Sequence, residues 1–323
     1  MRLGVDFRGD GPDQLLAFGK QMGADDAVGG GASFDPDLGY FDYDTLVKLK
    51  TRVEGFGLQL SAIENVHRHW NDKIKLGLPG RDEQIENWCT TLRNMGRADV
   101  PILGYNFMTP SSPTSYSWST SRTPTARGGA EARVFDWEVA KNAPTNDLGE
   151  FDDDQIWGAF EYFIKAVTPV AEESGVKLAL HPDDPPISPL AGIARIFRSH
   201  DSLQRLCDLA PSDYNGLEFC QGTVAEMPEN TIDAIERFVG QGKIHYVHFR
   251  NVSGPVPTFS ETFIDDGHVD MIEAMQTYHR LGFEGTFIDD HVPGVTGDAD
   301  RYIGRAHAMG YIRALIDMVT KGG

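Results

Sequence analysis

Residues 176–186, VKLALHPDDPP, decide the reading of this chain. Val176, Leu178, Ala179 and Leu180, interrupted by Lys177, form an apolar run of strand length that stops at His181 and is broken by Pro182, Pro185 and Pro186. A buried strand that runs into a proline-stiffened turn fixes its last side chain at one point of a sheet edge. His181 is that side chain. The pattern recurs downstream: NGLEFC (215–220) ends at Cys220, IHYVHFRN (244–251) carries His248, and GTFIDDH (285–291) carries Asp290 and His291. In a barrel of parallel strands the C-terminal ends meet at one mouth, so four ligands distant in sequence become neighbours in space.

Working outward from these runs, strands are expected at 2–6, 26–29, 58–63, 101–106, 176–181, 215–220, 244–249 and 285–289. Helical patterns follow them, for instance at 12–22, 43–54, 81–95, 152–174 and 269–281. Regular βα alternation argues for a parallel sheet, and eight units without a break in the pattern favour an α/β fold of the closed (β/α)8 TIM-barrel type. Gly23, Gly55, Gly96, Gly175 and Gly282 stand where a left-handed residue is wanted after a helix. No Gly/Ser-rich or Pro-rich linker divides the chain, so residues 1–323 are read as a single domain. A stretch at 108–152, rich in Ser, Thr and Pro in its first half, follows the fourth strand. It is expected to be an irregular lid or binding loop over the mouth, with Trp118, Arg122 and Arg133 as contacts to a ligand.

The bulk composition narrows the partners. A net charge of -19 repels nucleic acid and anionic membranes, both of which bind through Lys and Arg, and it obliges an anionic substrate to find a local basic pocket. There is no run of eighteen apolar residues and no apolar leader in MRLGVDFRGD, so a cytoplasmic protein is expected. Cys89, Cys207 and Cys220 cannot all pair and are read as reduced thiols, with Cys89 and Cys207 buried in helices.

A divalent metal needs several ligands from rigid positions, which His181, Cys220, His248 and Asp290 offer at or near strand ends. The thiolate suggests Zn²⁺ or Fe²⁺, and the His/Asp component also suits Mn²⁺. Asp183 and Asp184 are candidates to orient His181 or to bind substrate hydroxyls. Arg250, two residues beyond His248 and so on the same strand face, is a candidate for bidentate pairing with a substrate carboxylate. His291 and Tyr302 are acid/base candidates, and Glu261 faces the site from the loop after the seventh strand. His67 and His69 are further contact candidates from the loop after the third. His245, an odd number of residues from His248, should face the helices. Asp270 reads as a carboxylate at a helix N-terminus.

Together HPDDPP (181–186), Cys220 followed by Gly222 and Thr223, HFRN (248–251), FSET (259–262) ahead of VDM (269–271), and the Asp290-His291 pair resemble the mannonate dehydratase family. IKLGLPGRDEQIENW (74–88) and GYNFM (104–108) are similar to the same family. The resemblance implies a xylose isomerase-like barrel and Mn²⁺ or Fe²⁺ in place of Zn²⁺. It also implies dehydration of D-mannonate to 2-keto-3-deoxy-D-gluconate in hexuronate catabolism, with a sugar acid as partner and a homo-oligomer by analogy. Carried over by motif, the ligands are His181, Cys220, His248 and Asp290. His291 and Tyr302, the latter preceding Ile303-Gly304-Arg305, are the acid/base pair. Arg250, Asp183, Asn106, Glu261 and Arg122 are taken as substrate contacts. Three departures fall where substrate is touched: GVDFRG (4–9) lacks the family's aromatic-rich opening, Val292 replaces a glycine, and only Trp118 and Arg122 echo the usual WTRT stretch. The alternatives on the same barrel are a dehydratase of another aldonate, or a metal-dependent sugar isomerase or epimerase.

Overall fold

The structure, a computed structural model, describes residues 1–7, 9, 11–109, 119–299 and 301–322. Strands β1 (Arg2–Phe7), β2 (Asp26–Gly29), β3 (Gln59–Ala62), β4 (Ile102–Asn106), β7 (Lys177–His181), β8 (Asn215–Cys220), β9 (Ile244–His248) and β11 (Thr286–Ile288) are the eight expected from the apolar runs, within two residues at each end. They form one parallel sheet in the order β3-β2-β1-β11-β9-β8-β7-β4. A parallel bridge from Ile63 to Leu103, with the Ile63 amide donating to Ile102 and the Gly104 amide donating to Ile63, joins β3 to β4 and closes the ring.

The outer layer is α1 (Asp13–Gln21), α2 (Tyr43–Gly55), α3 (Asp72–Leu76), α4 (Arg81–Arg97), α6 (Asp153–Ser174), α7 (His200–Leu209), α8 (Gln221–Ala225), α9 (Thr231–Gly240), α10 (Met271–Arg280) and α11 (Tyr302–Lys321), with the one-turn α5 (Trp137–Ala140) ahead of α6. Asp42, Asp152 and Asp270 start α2, α6 and α10 by accepting from backbone amides of the first turn, the role expected of Asp270. Gly23, Gly175 and Gly282 take the left-handed backbone expected after a helix. Gly55 and Gly96 do not: Gly55 is the last residue of α2 itself, and Gly96 lies inside α4, where a Cβ would come 2.3 Å from the Ser174 carbonyl oxygen, so its smallness lets α4 pack on the end of α6.

Two apolar regions hold the barrel. The larger lies between sheet and helices, where Phe160 and Phe163 of α6 meet Phe107 and Phe197 edge-on or tilted at 4.8–6.0 Å between centroids. Each such fully buried ring contributes about 1.5–3 kcal/mol. The smaller is the barrel interior, filled by Val28, Ala62, Ala179, Tyr246 and Ile288. Above this plug the inward-facing positions turn polar.

The 108–152 stretch is not the irregular loop expected. Its described part contains β5 (Ser121–Ala126) and β6 (Ala130–Asp136), an antiparallel hairpin whose outer edge pairs with β10 (Thr258–Ser260) from the loop after β9. The cross-strand partners Phe135 and Phe259 bury their rings together at 5.6 Å between centroids. Backbone pairing across 122 residues joins the hairpin and β10 into a three-stranded sheet. Trp118 lies outside the described residues.

Candidate metal centre and active site

His181, Cys220 and His248 close β7, β8 and β9 and offer ligand atoms that all lie within 4.8 Å of one another. Asp290, two residues beyond β11, brings Oδ2 to 4.0 Å from Cys220 Sγ and 3.6 Å from His248 Nδ1. The two imidazoles are oriented from behind. His181 Nδ1 donates to the Pro182 carbonyl at 2.6 Å, which leaves Nε2 as the free acceptor. His248 Nε2 stands 3.2 Å from Glu64 Oε2 and 3.1 Å from Glu218 Oε1, while its Nδ1 is buried and has no hydrogen-bond partner. A buried nitrogen without a hydrogen-bond partner beside a thiol and a carboxylate is a donor set that fits a divalent transition metal.

The electrostatics are those of a site primed for a metal. Burial opposes ionisation of Cys220, but the Arg250 guanidinium and the His181 ring outweigh it and hold the thiol well below its usual range. Burial likewise opposes a charged His181, yet the Cys220 thiolate raises it to about 9. His181 and Cys220 would hold a metal in place of that shared proton, so binding would release it.

Arg250 corrects one expectation. Its Nε lies 3.3 Å from Cys220 Sγ and 3.0 Å from Asp290 Oδ2, Nη1 reaches Glu226 at 3.1 Å and both oxygens of Glu261 at 3.0 Å, and Nη2 reaches Asp184 and Thr223 at 2.9 Å. It is 3% exposed. The guanidinium is consumed by internal partners and is not available to a substrate carboxylate. It also occupies the position a cation would take between Asp184 and Glu261. Burial, helped by Asp184, drives Glu226 well above the usual carboxylate range against the pull of Arg250.

His291 sits at the rim of this cluster with a left-handed backbone, φ 48°. Its Nδ1 is 2.8 Å from Glu261 Oε1, its Nε2 accepts from Arg133 Nη1 at 3.3 Å, and Asp290 Oδ1 lies 3.6 Å from Nε2. Glu261 accepts the Nδ1 proton, and against burial Asp290 and Glu261 together raise the proton affinity of the ring. Glu261 reaches the site as expected, but through Arg250 and His291.

The remaining candidates are dispersed. Asp183 is 2% exposed and turned away from the mouth; its Oδ2 accepts from the Phe197 amide at 2.7 Å, with Arg195 at 3.8 Å, which corrects its reading as a substrate contact. Asn106 is a brace, accepting from the buried Lys75 Nζ at 3.0 Å and donating to Asn65 at 3.2 Å. Tyr302 opens α11 with its ring edge-on to Phe18 at 4.9 Å, and among the described residues no hydrogen bond joins it to His291 or Asp290. Arg122 lies exposed on β5, opposite Arg133. His67 and His69 line a cavity of about 530 Å³ with Asp6, Glu64, Asn65 and Arg68. Their Nε2 atoms face the carbonyls of Phe34 and Pro36, at 3.0 and 2.7 Å. His245 is buried with both ring nitrogens unpartnered, against Gly216.

Sequence reasoning missed Asp6, Glu64, Glu218 and Glu226. Glu218 was legible, since it is two residues before Cys220 and shares its strand face. Burial, reinforced by Glu64, pushes it to about 8. Asp6, at the end of β1, is raised by burial to about 7, against the opposing pull of Arg305.

This geometry can be set beside known proteins. A family model described as D-mannonate dehydratase (UxuA) matches residues 1–149 and 137–322, which together span nearly the whole chain. The chain belongs to the D-mannonate dehydratase family. Relatives in the family include mannonate dehydratases of Thermotoga maritima, 31% identical, and Thermotoga neapolitana, 33% identical, each alignment covering 89% of this chain and 90% of the relative. The crystal structure of mannonate dehydratase from Streptococcus suis serotype 2 superposes with a TM-score of 0.90 at 27% identity, covering 100% of this chain and 95% of that one. Outside the family, D-psicose 3-epimerase from Clostridium cellulolyticum H10 reaches a TM-score of 0.64 at 13% identity over 98% of this chain and 99% of its own. That likeness establishes the xylose isomerase-like barrel and no more, so the isomerase and epimerase alternatives are not favoured.

Proposed function

We propose that this family member is a metal-dependent hydro-lyase that converts D-mannonate to 2-keto-3-deoxy-D-gluconate. The observation that carries the reading is the convergence of His181, Cys220 and His248 within 4.8 Å, with the orphaned His248 Nδ1 turned toward Asp290. Mn²⁺ or Fe²⁺ is the cofactor proposed for these four side chains, and it supplies Lewis acidity to the substrate oxygens. Cytoplasmic placement belongs to the same proposal, supported by three free, buried cysteines, one of them a thiolate ligand. Hexuronate catabolism as the pathway and a homo-oligomeric state rest on the family alone. Among the described residues no helix is long and apolar enough to cross a membrane.

β-Elimination breaks the C2–H bond, places its electron pair in a C2=C3 bond and releases the C3 hydroxyl as water once it is protonated; the enol then tautomerises to the ketone. His291 is the chain's proton-transfer group for this step, because Glu261 holds Nδ1–H and Nε2 faces the rim beside Arg133. Glu261 in turn is held by Arg250, which makes Arg250 a positioning residue. Tyr302 enters as the second acid/base group by family motif. The test is to strip the protein of metal, reconstitute it with Mn²⁺ or anaerobically with Fe²⁺, and assay 2-keto-3-deoxy acid from a panel of aldonates. Product from D-mannonate supports the assignment; product from another aldonate alone moves the substrate, and product from none overturns the dehydratase reading.

A further inference from the structure

We infer that Arg122, Arg133 and Arg301 form the receptor for the substrate carboxylate, an inference that rests on the sugar-acid reading above. With Arg250 consumed by Cys220, Asp184, Glu226, Glu261 and Asp290, the mouth needs another cation for an anionic ligand. The hairpin provides it. Arg122 and Arg133 are direct cross-strand partners on β5 and β6, a placement that costs stability when like charges face each other. Glu131 and Gly294 exchange backbone hydrogen bonds of 3.3 and 2.7 Å, which tie the hairpin to the loop that runs from His291 to Arg301. Arg301, in a left-handed conformation with φ 62°, reaches back to the Val292 carbonyl at 3.4 Å. Burial, and then repulsion from Arg122 and Arg133, lower the proton affinity of Arg301, in keeping with three guanidiniums gathered at one place.

Charge balance makes this gathering informative. The chain has 48 Asp and Glu against 29 Lys and Arg, and most of its arginines lie against a carboxylate. Among the described residues none of these three forms an ion pair, and the one side-chain partner of Arg133 is His291 Nε2 at 3.3 Å. Glu131 and Asp298 offset Arg301 in part, and a basic patch without ion pairs in an acidic protein is a local attractor for an anion. Its place matches the chemistry: His291 Nε2 separates Arg133 at 3.3 Å from Asp290 Oδ1 at 3.6 Å. A sugar acid with its carboxylate on the arginines lays C2, the carbon bonded to that carboxylate, beside Nε2, and extends its hydroxyls toward the metal ligands.

The experiment uses the Mn²⁺-loaded protein and the variants Arg133→Gln, Arg122→Gln and Arg133→Lys, with binding of non-reacting aldonates, mannitol and mannitol 1-phosphate read by calorimetry alongside KM and kcat for the substrate. Wild type is expected to prefer aldonates over mannitol and over the phosphate. Arg133→Gln and Arg122→Gln should weaken aldonate binding about tenfold or more while leaving mannitol binding unchanged, and Arg133→Lys should recover part of the loss. Arg122 is exposed on an edge strand, so its replacement tests the inference without endangering the fold. An unchanged aldonate-to-mannitol ratio in both Gln variants overturns the receptor, as does preference for the phosphate. If no aldonate is dehydrated the activity reading falls, and the calorimetric ratio still decides the receptor.

Discussion

Arg250 Nε lies 3.3 Å from Cys220 Sγ and 3.0 Å from Asp290 Oδ2, so one buried guanidinium holds two proposed metal ligands from the strands on either side of β9. The same side chain neutralises Asp184 and Glu261. Removing one member of such a buried set leaves the others uncompensated. Arg250→Met is expected to destabilise the metal-free protein by about 3–5 kcal/mol, read from urea unfolding. Arg250→Lys keeps the charge but not the fork, and should recover part of that stability.

Metal binding should appear as stabilisation. A ligand that binds only the folded state adds about 2.7 kcal/mol at a hundredfold excess over its Kd. Thermal scans with rising Mn²⁺ are expected to show a concentration-dependent Tm in wild type. The shift should be much reduced in Cys220→Ser, which removes the thiolate, and in His248→Ala, which removes the nitrogen that has no other partner.

His291 separates turnover from metal binding. His291→Gln is expected to keep wild-type metal content by elemental analysis and to lower kcat by about 10²–10⁴-fold, the range of a lost proton-transfer group. Loss of the metal in this variant would place His291 among the ligands.

His245 sets an acid limit on stability. Burial, with smaller contributions from Lys177 and Lys243, lowers it from 6.5 to about 3, so between those values the unfolded chain binds a proton that the folded chain refuses. Stability is full above about pH 6.5 and falls as the pH drops toward 3. His245→Leu removes the titration together with two unpartnered buried nitrogens. Its unfolding free energy between pH 4 and 7 should be flatter than that of wild type and no lower at neutral pH, about neutral or stabilising in sign.

The barrel was legible because its strands are apolar runs buried on both faces: β8 was expected and found at Asn215–Cys220 without a residue's difference. The strand-end rule also located His181, Cys220, His248 and Asp290. It located Arg250 as well, but not the partners that consume it, since Asp184, Glu226 and Glu261 come from three separate loops. The hairpin left almost no signal. β5 reads SRTPTA, largely exposed and carrying Pro124, which only an edge strand tolerates, and the third strand of its sheet comes from far along the chain. Alternation cannot announce a sheet whose partners are supplied by tertiary structure.

The three-stranded sheet has a bearing on how this barrel can be altered. Because β6 is paired to β10, the excursions after β4 and β9 are one mechanical unit, although each belongs to a different βα repeat. A loop exchange that transplants residues 108–152 alone would leave Thr258–Ser260 with an unpaired edge and Phe259 without Phe135. The two loops are therefore inherited as a pair on this scaffold, and recombination that cuts between them breaks the module.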